Sequence, residues 1–167
     1  MISVIKNFLF WQPENFSFNS LVFFFSHWFL WLIIFGLTLF WLLKNKLRQL
    51  KLFWLLIIFS ELLEITIKHF SPWQRPFYQN GVQPPEWIVD YSRGSFPSGH
   101  AIRSAIVLSF LWQENKALFW PLLPGIILVN LGRVLFGLHY PIDILAGLVL
   151  GYLLVKIRKL MIKKFRQ

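Results

Sequence analysis

Residues 21–43 read LVFFFSHWFLWLIIFGLTLFWLL, an apolar run of 23 residues. As a helix it is long enough to cross a hydrocarbon core of about 30 Å. A basic loop with Lys44, Lys46, Arg48 and Lys51 follows. A second helix is expected from about Leu52 to Phe70, carrying Glu61, Glu64 and Lys68. Residues 71–96, SPWQRPFYQNGVQPPEWIVDYSRGSF, are rich in Pro, Gly and polar side chains and read as an extramembrane loop. A third helix opens near Ser98 and runs to about Trp112. The turn QENK leads into a fourth, about Ala117 to Gly137, with Pro121 placed in its first turn. Pro141 starts a fifth, which ends in the basic tail KIRKLMIKKFRQ. Residues 2–12 read as a short interfacial helix, and the role of residues 1–20 stays open.

The composition agrees with an all-α, polytopic transmembrane bundle of about five spans. Hydrophobic residues make up 56% of the 167 and charged residues 14%, far from the balance of a soluble domain. The 9 Trp suit membrane–water interfaces, where an indole satisfies its ring and its N–H together. A net charge of +10 would otherwise suggest nucleic acid, but the basic residues sit in clusters between apolar runs, which fits membrane topology and no nucleic-acid partner. With no cysteine there is no thiol nucleophile, Cys-ligated zinc or disulfide. The first residues, MISVIKNFLFWQPENF, lack the pattern of a secretory signal. The chain reads as one domain over residues 1–167.

Five spans with a cytoplasmic tail put the 44–51 loop and the QENK turn in the cytoplasm too. Eleven of the 17 Lys and Arg then lie inside, as the positive-inside rule requires. The other six are Lys6, Lys68, Arg75, Arg93, Arg103 and Arg133. A charge at the centre of a span costs about 2.5–3.5 kcal/mol on insertion scales, so such residues are candidates for function. Here they converge at the outer helix ends: Lys68 and Arg75 by the second helix, His100 at the third, Arg133 at the fourth, His139 and Asp143 at the fifth.

That group suits a phosphate. Lys and Arg neutralise its oxygens, and Arg can do so through two parallel hydrogen bonds. Pro97-Ser98-Gly99-His100 adds a helix N-terminus with free amides, and Gly99 lets the backbone approach closely. Asp143, four residues after His139 and in the first turn of its helix, is placed to reach back and fix the imidazole tautomer. The oriented imidazole can attack phosphorus while His100 protonates the leaving oxygen.

The spacing Lys68-x6-Arg75-Pro76, Pro97-Ser98-Gly99-His100 and Arg133-x5-His139-x3-Asp143 resembles the three-part signature of the type 2 phosphatidic acid phosphatase (PAP2) family, over about residues 60–155. The resemblance implies a core shared with the soluble vanadium haloperoxidases, although five spans speak against a soluble enzyme. It implies a metal-independent mechanism through a phosphohistidine, with no cofactor. His139 would be the nucleophile, Asp143 its orienting partner and His100 the general acid. Lys68, Arg75 and Arg133 would hold the phosphoryl oxygens, with Ser98 and the Gly99 amide. Two features depart from the family. Its third block usually begins Ser-Arg and here is Gly132-Arg133, and its membrane members usually have six spans.

Other polar residues have plainer readings. His27, in the first span with no ionisable neighbour in sequence, reads as a packing or interhelical hydrogen-bonding residue. His69 reads as solvated at the interface, and Lys6 and Arg93 as headgroup contacts. Glu64, four before Lys68, either aims that lysine or only neutralises it. Glu61 pairs with Arg103 or with Arg133. Arg103 is either a fourth phosphate contact or a structural partner of Glu61. Trp73, Phe77, Tyr78, Trp87 and Tyr91 either anchor their loop at the interface or form a lid.

The reading that follows is hydrolysis of a phosphate or diphosphate ester on a lipid entering from the bilayer, at the extracytoplasmic face of a bacterial inner membrane. No obligate protein partner is implied. The substrates in order are undecaprenyl diphosphate, lipid A 1-phosphate and phosphatidylglycerol phosphate. The alternatives are phosphotransfer to an acceptor lipid and a non-catalytic binder or flippase.

Overall fold

The structure is a computed structural model that describes residues 20–71, 73–79 and 94–164. Among these the helices are α1 (Ser20–His27), α2 (Phe29–Leu43), α3 (Leu47–Phe70), α4 (Pro76–Gln79), α5 (Gly99–Glu114), α6 (Lys116–Leu135) and α7 (Pro141–Lys164).

The quoted apolar run divides into α1 and α2 at Trp28, which keeps a right-handed helical backbone. Trp28 N donates to Phe24 O at 2.8 Å and Leu32 N to Trp28 O at 3.0 Å, so hydrogen bonding continues through the junction. The basic loop is shorter than expected. Asn45, at φ 54°, turns the chain in the left-handed region that Asn tolerates, and α3 starts at Leu47. α6 begins at Lys116, capped by Asn115, whose side-chain oxygen accepts from Leu118 N at 3.2 Å. Pro121 is therefore its sixth residue and not in its first turn. It and Pro124 each deprive the helix of an amide donor.

At one end of the bundle Trp41 (α2), Phe53 (α3) and Phe110 (α5) meet edge to face, with ring centroids 5.1–5.5 Å apart. Lys46 Nζ pairs with Glu114 Oε2 at 2.8 Å, tying the α2–α3 turn to the end of α5. The outer surface is apolar: Phe35, Leu55, Leu62, Leu131 and Val149 are all more than half exposed. α6 alone among the described helices is both long and apolar enough by composition to cross a membrane.

α5 and α7 form the most extensive helix pair. Gly147 and Gly151 make the contact possible. A Cβ at Gly147 would lie 2.6 Å from Ser98 O, and one at Gly151 would strike Ile102 O. Glycines four apart on one helix face let two backbones approach closely. Ser98 N, just before α5, donates to Asp143 O at 3.1 Å in the first turn of α7. The seam thus fixes the level of His100 relative to His139.

Candidate active site

The turn from α6 to α7 begins with a helix stop. Gly137 has φ 63°, its amide donates to Val134 O at 2.9 Å, and Leu138 N donates to Arg133 O at 3.0 Å. This Schellman arrangement satisfies two otherwise orphan carbonyls and needs a left-handed residue, which glycine supplies. His139 follows at once, its amide 3.2 Å from the same Arg133 carbonyl. The third sequence block therefore acts as one rigid corner.

Asp143 is the third residue of α7 and reaches back as one half of a capping box: its Oδ2 accepts from Tyr140 N at 2.9 Å. The same oxygen lies 3.5 Å from His139 Nδ1, longer than an ordinary charge-assisted hydrogen bond. Both side chains are almost wholly buried. The first block is tied to this corner as well. Arg75 Nη1 donates to Leu138 O at 2.8 Å, and Phe77 N to Gly137 O at 3.1 Å.

The corner closes a cavity of about 280 Å³ between α1, α3, α5 and the α6–α7 turn. Lys68, Arg75, His100, Arg133 and His139 all line it, with Glu61, Glu64 and Arg103 along one wall. Asp143 stands behind His139. His139 lies in the connection between two helices. Burial, and then the cations Arg75, Lys68 and Arg133, hold its pKa well below the ordinary imidazole value. It is therefore neutral near pH 7, with a lone pair for an electrophile.

The remaining charges form a chain. Glu64 receives Lys68 Nζ at 2.5 Å and Arg103 Nη1 at 3.0 Å, and Arg103 also pairs with Glu61. Of its two candidate partners Glu61 thus takes Arg103, and Glu64 is paired with Lys68. Arg103 is a structural partner of both carboxylates, though it still touches the cavity. His69 is exposed and outside the cavity.

Ser98 and Gly99 do not line the cavity. Ser98 is the N-cap of α5, accepting from Ala101 N at 3.4 Å. Gly99 faces Glu64, whose carboxylate occupies the space a Cβ would need. Phe77 is fully buried and so is no interface anchor, while Trp73 is partly exposed and packs on Phe96 with centroids 5.2 Å apart. Trp87, Tyr91, Arg93, Lys6 and residues 2–12 lie outside the described residues.

His27 is not isolated. Its Nδ1 lies 3.1 Å from Arg133 Nη1, and its ring is 5.5 Å from the His100 ring, centroid to centroid. The sequence signal was available only as a pair: a histidine in α1 and the side-chain-free Gly132 on α6, where a Cβ would come within 2.7 Å of Ser26 Cβ.

Residues 48–167, well over half of the chain, match the PAP2 superfamily. The chain belongs to that superfamily. This PAP2 protein is 29% identical over 141 residues to the bacitracin transport permease protein BcrC of Bacillus licheniformis, covering 81% of this chain and 67% of that one. It is 31% identical over 90 residues to undecaprenyl-diphosphatase BcrC of Bacillus subtilis (strain 168), covering 54% and 45%. Phosphatidylglycerophosphatase B of the same strain is 38% identical over 96 residues, covering 48% and 46%. The last two matches span less than half of those relatives. Among solved structures it resembles the first transmembrane PAP2 type phosphatidylglycerolphosphate phosphatase from Bacillus subtilis, with a TM-score of 0.64 and 24% identity over 97% of this chain and 84% of that one. The fold is that of a transmembrane PAP2 helix bundle. The family match starts at residue 48, so α1, α2 and His27 stand outside it.

Proposed function

We propose that this PAP2 protein is an integral membrane lipid phosphatase working through a phosphohistidine, without metal. One observation carries the reading: two buried histidines and three cations, Lys68, Arg75 and Arg133, line a single cavity at the helix ends. Cations bind the phosphoryl oxygens and stabilise the charge they gain in the transition state. The His139 lone pair attacks phosphorus, an N–P bond forms, and the ester or anhydride P–O bond breaks. His100 gives its proton to the departing oxygen. Water then attacks the phosphohistidine, returning a proton to His100 and releasing phosphate from His139. Asp143 orients the imidazole and stabilises the charge it acquires. Ser98 and the Gly99 amide, at the start of α5 beside His100, would add phosphate contacts.

The preferred substrate is undecaprenyl diphosphate, supported by the undecaprenyl-diphosphatase among the relatives. Phosphatidylglycerol phosphate comes next, since a phosphatidylglycerophosphatase B is also similar, ahead of lipid A 1-phosphate. Five spans are assigned: α1 with α2, α3, α5, α6 and α7. With the basic tail and the Lys46 turn facing the cytoplasm, the cavity opens on the extracytoplasmic face of the inner membrane. A second reading, transport or binding of a lipid phosphate without turnover, is favoured by the likeness to the bacitracin transport permease protein of Bacillus licheniformis. Purified protein given each lipid phosphate in detergent with a chelator separates the readings. Release of inorganic phosphate supports the phosphatase. Binding without release supports the carrier, and phosphate appearing on an added acceptor lipid supports transfer.

A further inference from the structure

The Arg133 side chain is buried and lines the cavity, and among its contacts is one from a helix outside the family match: His27 Nδ1, 3.1 Å from Nη1. An arginine N–H only donates, so Nδ1 must accept and the His27 ring carries its proton on Nε2. A protonated His27 would lose that acceptor and set a cation against Arg133, with Arg103 of α5 also close enough to oppose it. The main-chain carbonyl of His27 lies 3.4 Å from His100 Nε2, and the two rings are tilted to one another with centroids 5.5 Å apart. One residue thus touches the phosphate cation of one block and the imidazole of another.

The approach is built into the packing. Ser26 is fully buried against Gly132, where any side chain would push α1 away, and Gly125 receives the Phe29 ring in the same way two turns earlier. Glycines seven apart on α6 therefore seat the α1–α2 junction and bring His27 alongside Arg133.

From this we infer that His27 is a positioning residue of the phosphate site, aiming the Arg133 guanidinium through its unprotonated Nδ1 and holding His100 through its carbonyl. The inference rests on the phosphatase reading above. It adds α1 to the four helices, α3, α5, α6 and α7, that already carry site residues.

The test uses the full chain in detergent with a prenyl diphosphate and phosphatidylglycerol phosphate as substrates. His27→Ala is expected to lower kcat/KM by about 10- to 100-fold, the scale of an ångström's misplacement at a reacting centre. Inhibition by inorganic phosphate should weaken in parallel. His27→Asn, whose side-chain oxygen can accept from Arg133, should recover activity to within about fivefold of wild type, and adding His27→Ala to Arg133→Ala should cost little more, because coupled residues are not additive. Should His27→Ala fail to fold, His27→Leu replaces it as the variant without an acceptor. Activity within about twofold of wild type in a folded His27→Ala, or equal losses in the Asn and apolar variants, would overturn the inference. His139→Ala is run beside them. If it stays active, the His139 assignment fails, and if wild type itself releases no phosphate, the phosphatase reading fails. If it is inactive, the His27 variants judge this inference alone.

Discussion

The carboxylate of Glu64 lies against the backbone of Gly99, in the volume that a Cβ there would fill, while its oxygens hold Lys68 Nζ at 2.5 Å and Arg103 Nη1 at 3.0 Å. The glycine in the second block is therefore needed for a contact with the helix that carries the first. The close approach of the two blocks and the aim of Lys68 are one constraint.

Gly99→Ala should consequently displace Glu64 and misdirect Lys68. Overpacking of this kind costs about 1–3 kcal/mol. Thermal unfolding in detergent should show that loss, and phosphate release should fall by at least about tenfold, as for other displaced active-site groups. Gly99→Ala combined with Glu64→Ala should relieve the clash without restoring turnover.

The two carboxylates facing Arg103 should differ in weight. Glu64 is nearly buried between two cations, so Glu64→Ala strips Lys68 of its carboxylate and leaves Arg103 only Glu61, and should cost about 3–5 kcal/mol. Glu61 is half exposed, and a pair of that kind contributes only about 0–1 kcal/mol, so Glu61→Ala should change the unfolding midpoint little. Equal effects would mean that burial does not rank these pairs.

The pH profile follows from His139. Its pKa is depressed in the folded chain, first by burial and then by Arg75, Lys68 and Arg133. The imidazole stays neutral and nucleophilic as pH falls past about 6.5, the ordinary value, and is protonated only below it. The acid limb of kcat/KM that belongs to His139 should therefore lie below that point. Arg75→Ala removes the largest cationic contribution, so in its residual activity this limb should move up toward the ordinary value. The linkage to stability has the same sign. Below about 6.5 the unfolded chain takes up a proton that folded His139 refuses, so this group's contribution to stability declines with falling pH.

The α5–α7 seam offers a test away from the chemistry. Gly151→Leu would drive a side chain into the Ile102 carbonyl and part α5, which carries His100, from α7, which follows His139 and carries Asp143. Loss of thermal stability together with activity is expected. Gly36 has nothing within reach of an added Cβ, so Gly36→Ala should leave both intact.

Much of this arrangement was legible in the sequence, because charge in an apolar chain is rare and the three blocks sit at helix ends. The start of α5 at a serine cap and of α7 at Pro141 came from local rules that hold in a membrane as in water. Contacts made across the bundle were not legible. His27 looked isolated because its neighbours in sequence are apolar, while its neighbour in space is more than a hundred residues away. Ser98 read as a phosphate ligand, and its hydroxyl also accepts from Ala101 N as the cap of its own helix, which leaves its O–H free to donate. Pro121 was placed one turn too early because the Asn115 cap, not the first apolar residue, sets where α6 begins. The pairing of Arg103 with two carboxylates needed the rotation of α3 about its axis, which its apolar pattern does not fix.

In the proposed reaction His139 takes the phosphoryl group onto its ring. Brief reaction of the purified protein with a lipid diphosphate labelled in its terminal phosphate, quenched in base and digested, would measure this directly. The expected result is an acid-labile, base-stable label on the peptide containing His139, absent in His139→Ala and still formed in the presence of chelator. Turnover without any such label, or with label on another residue, would contradict it.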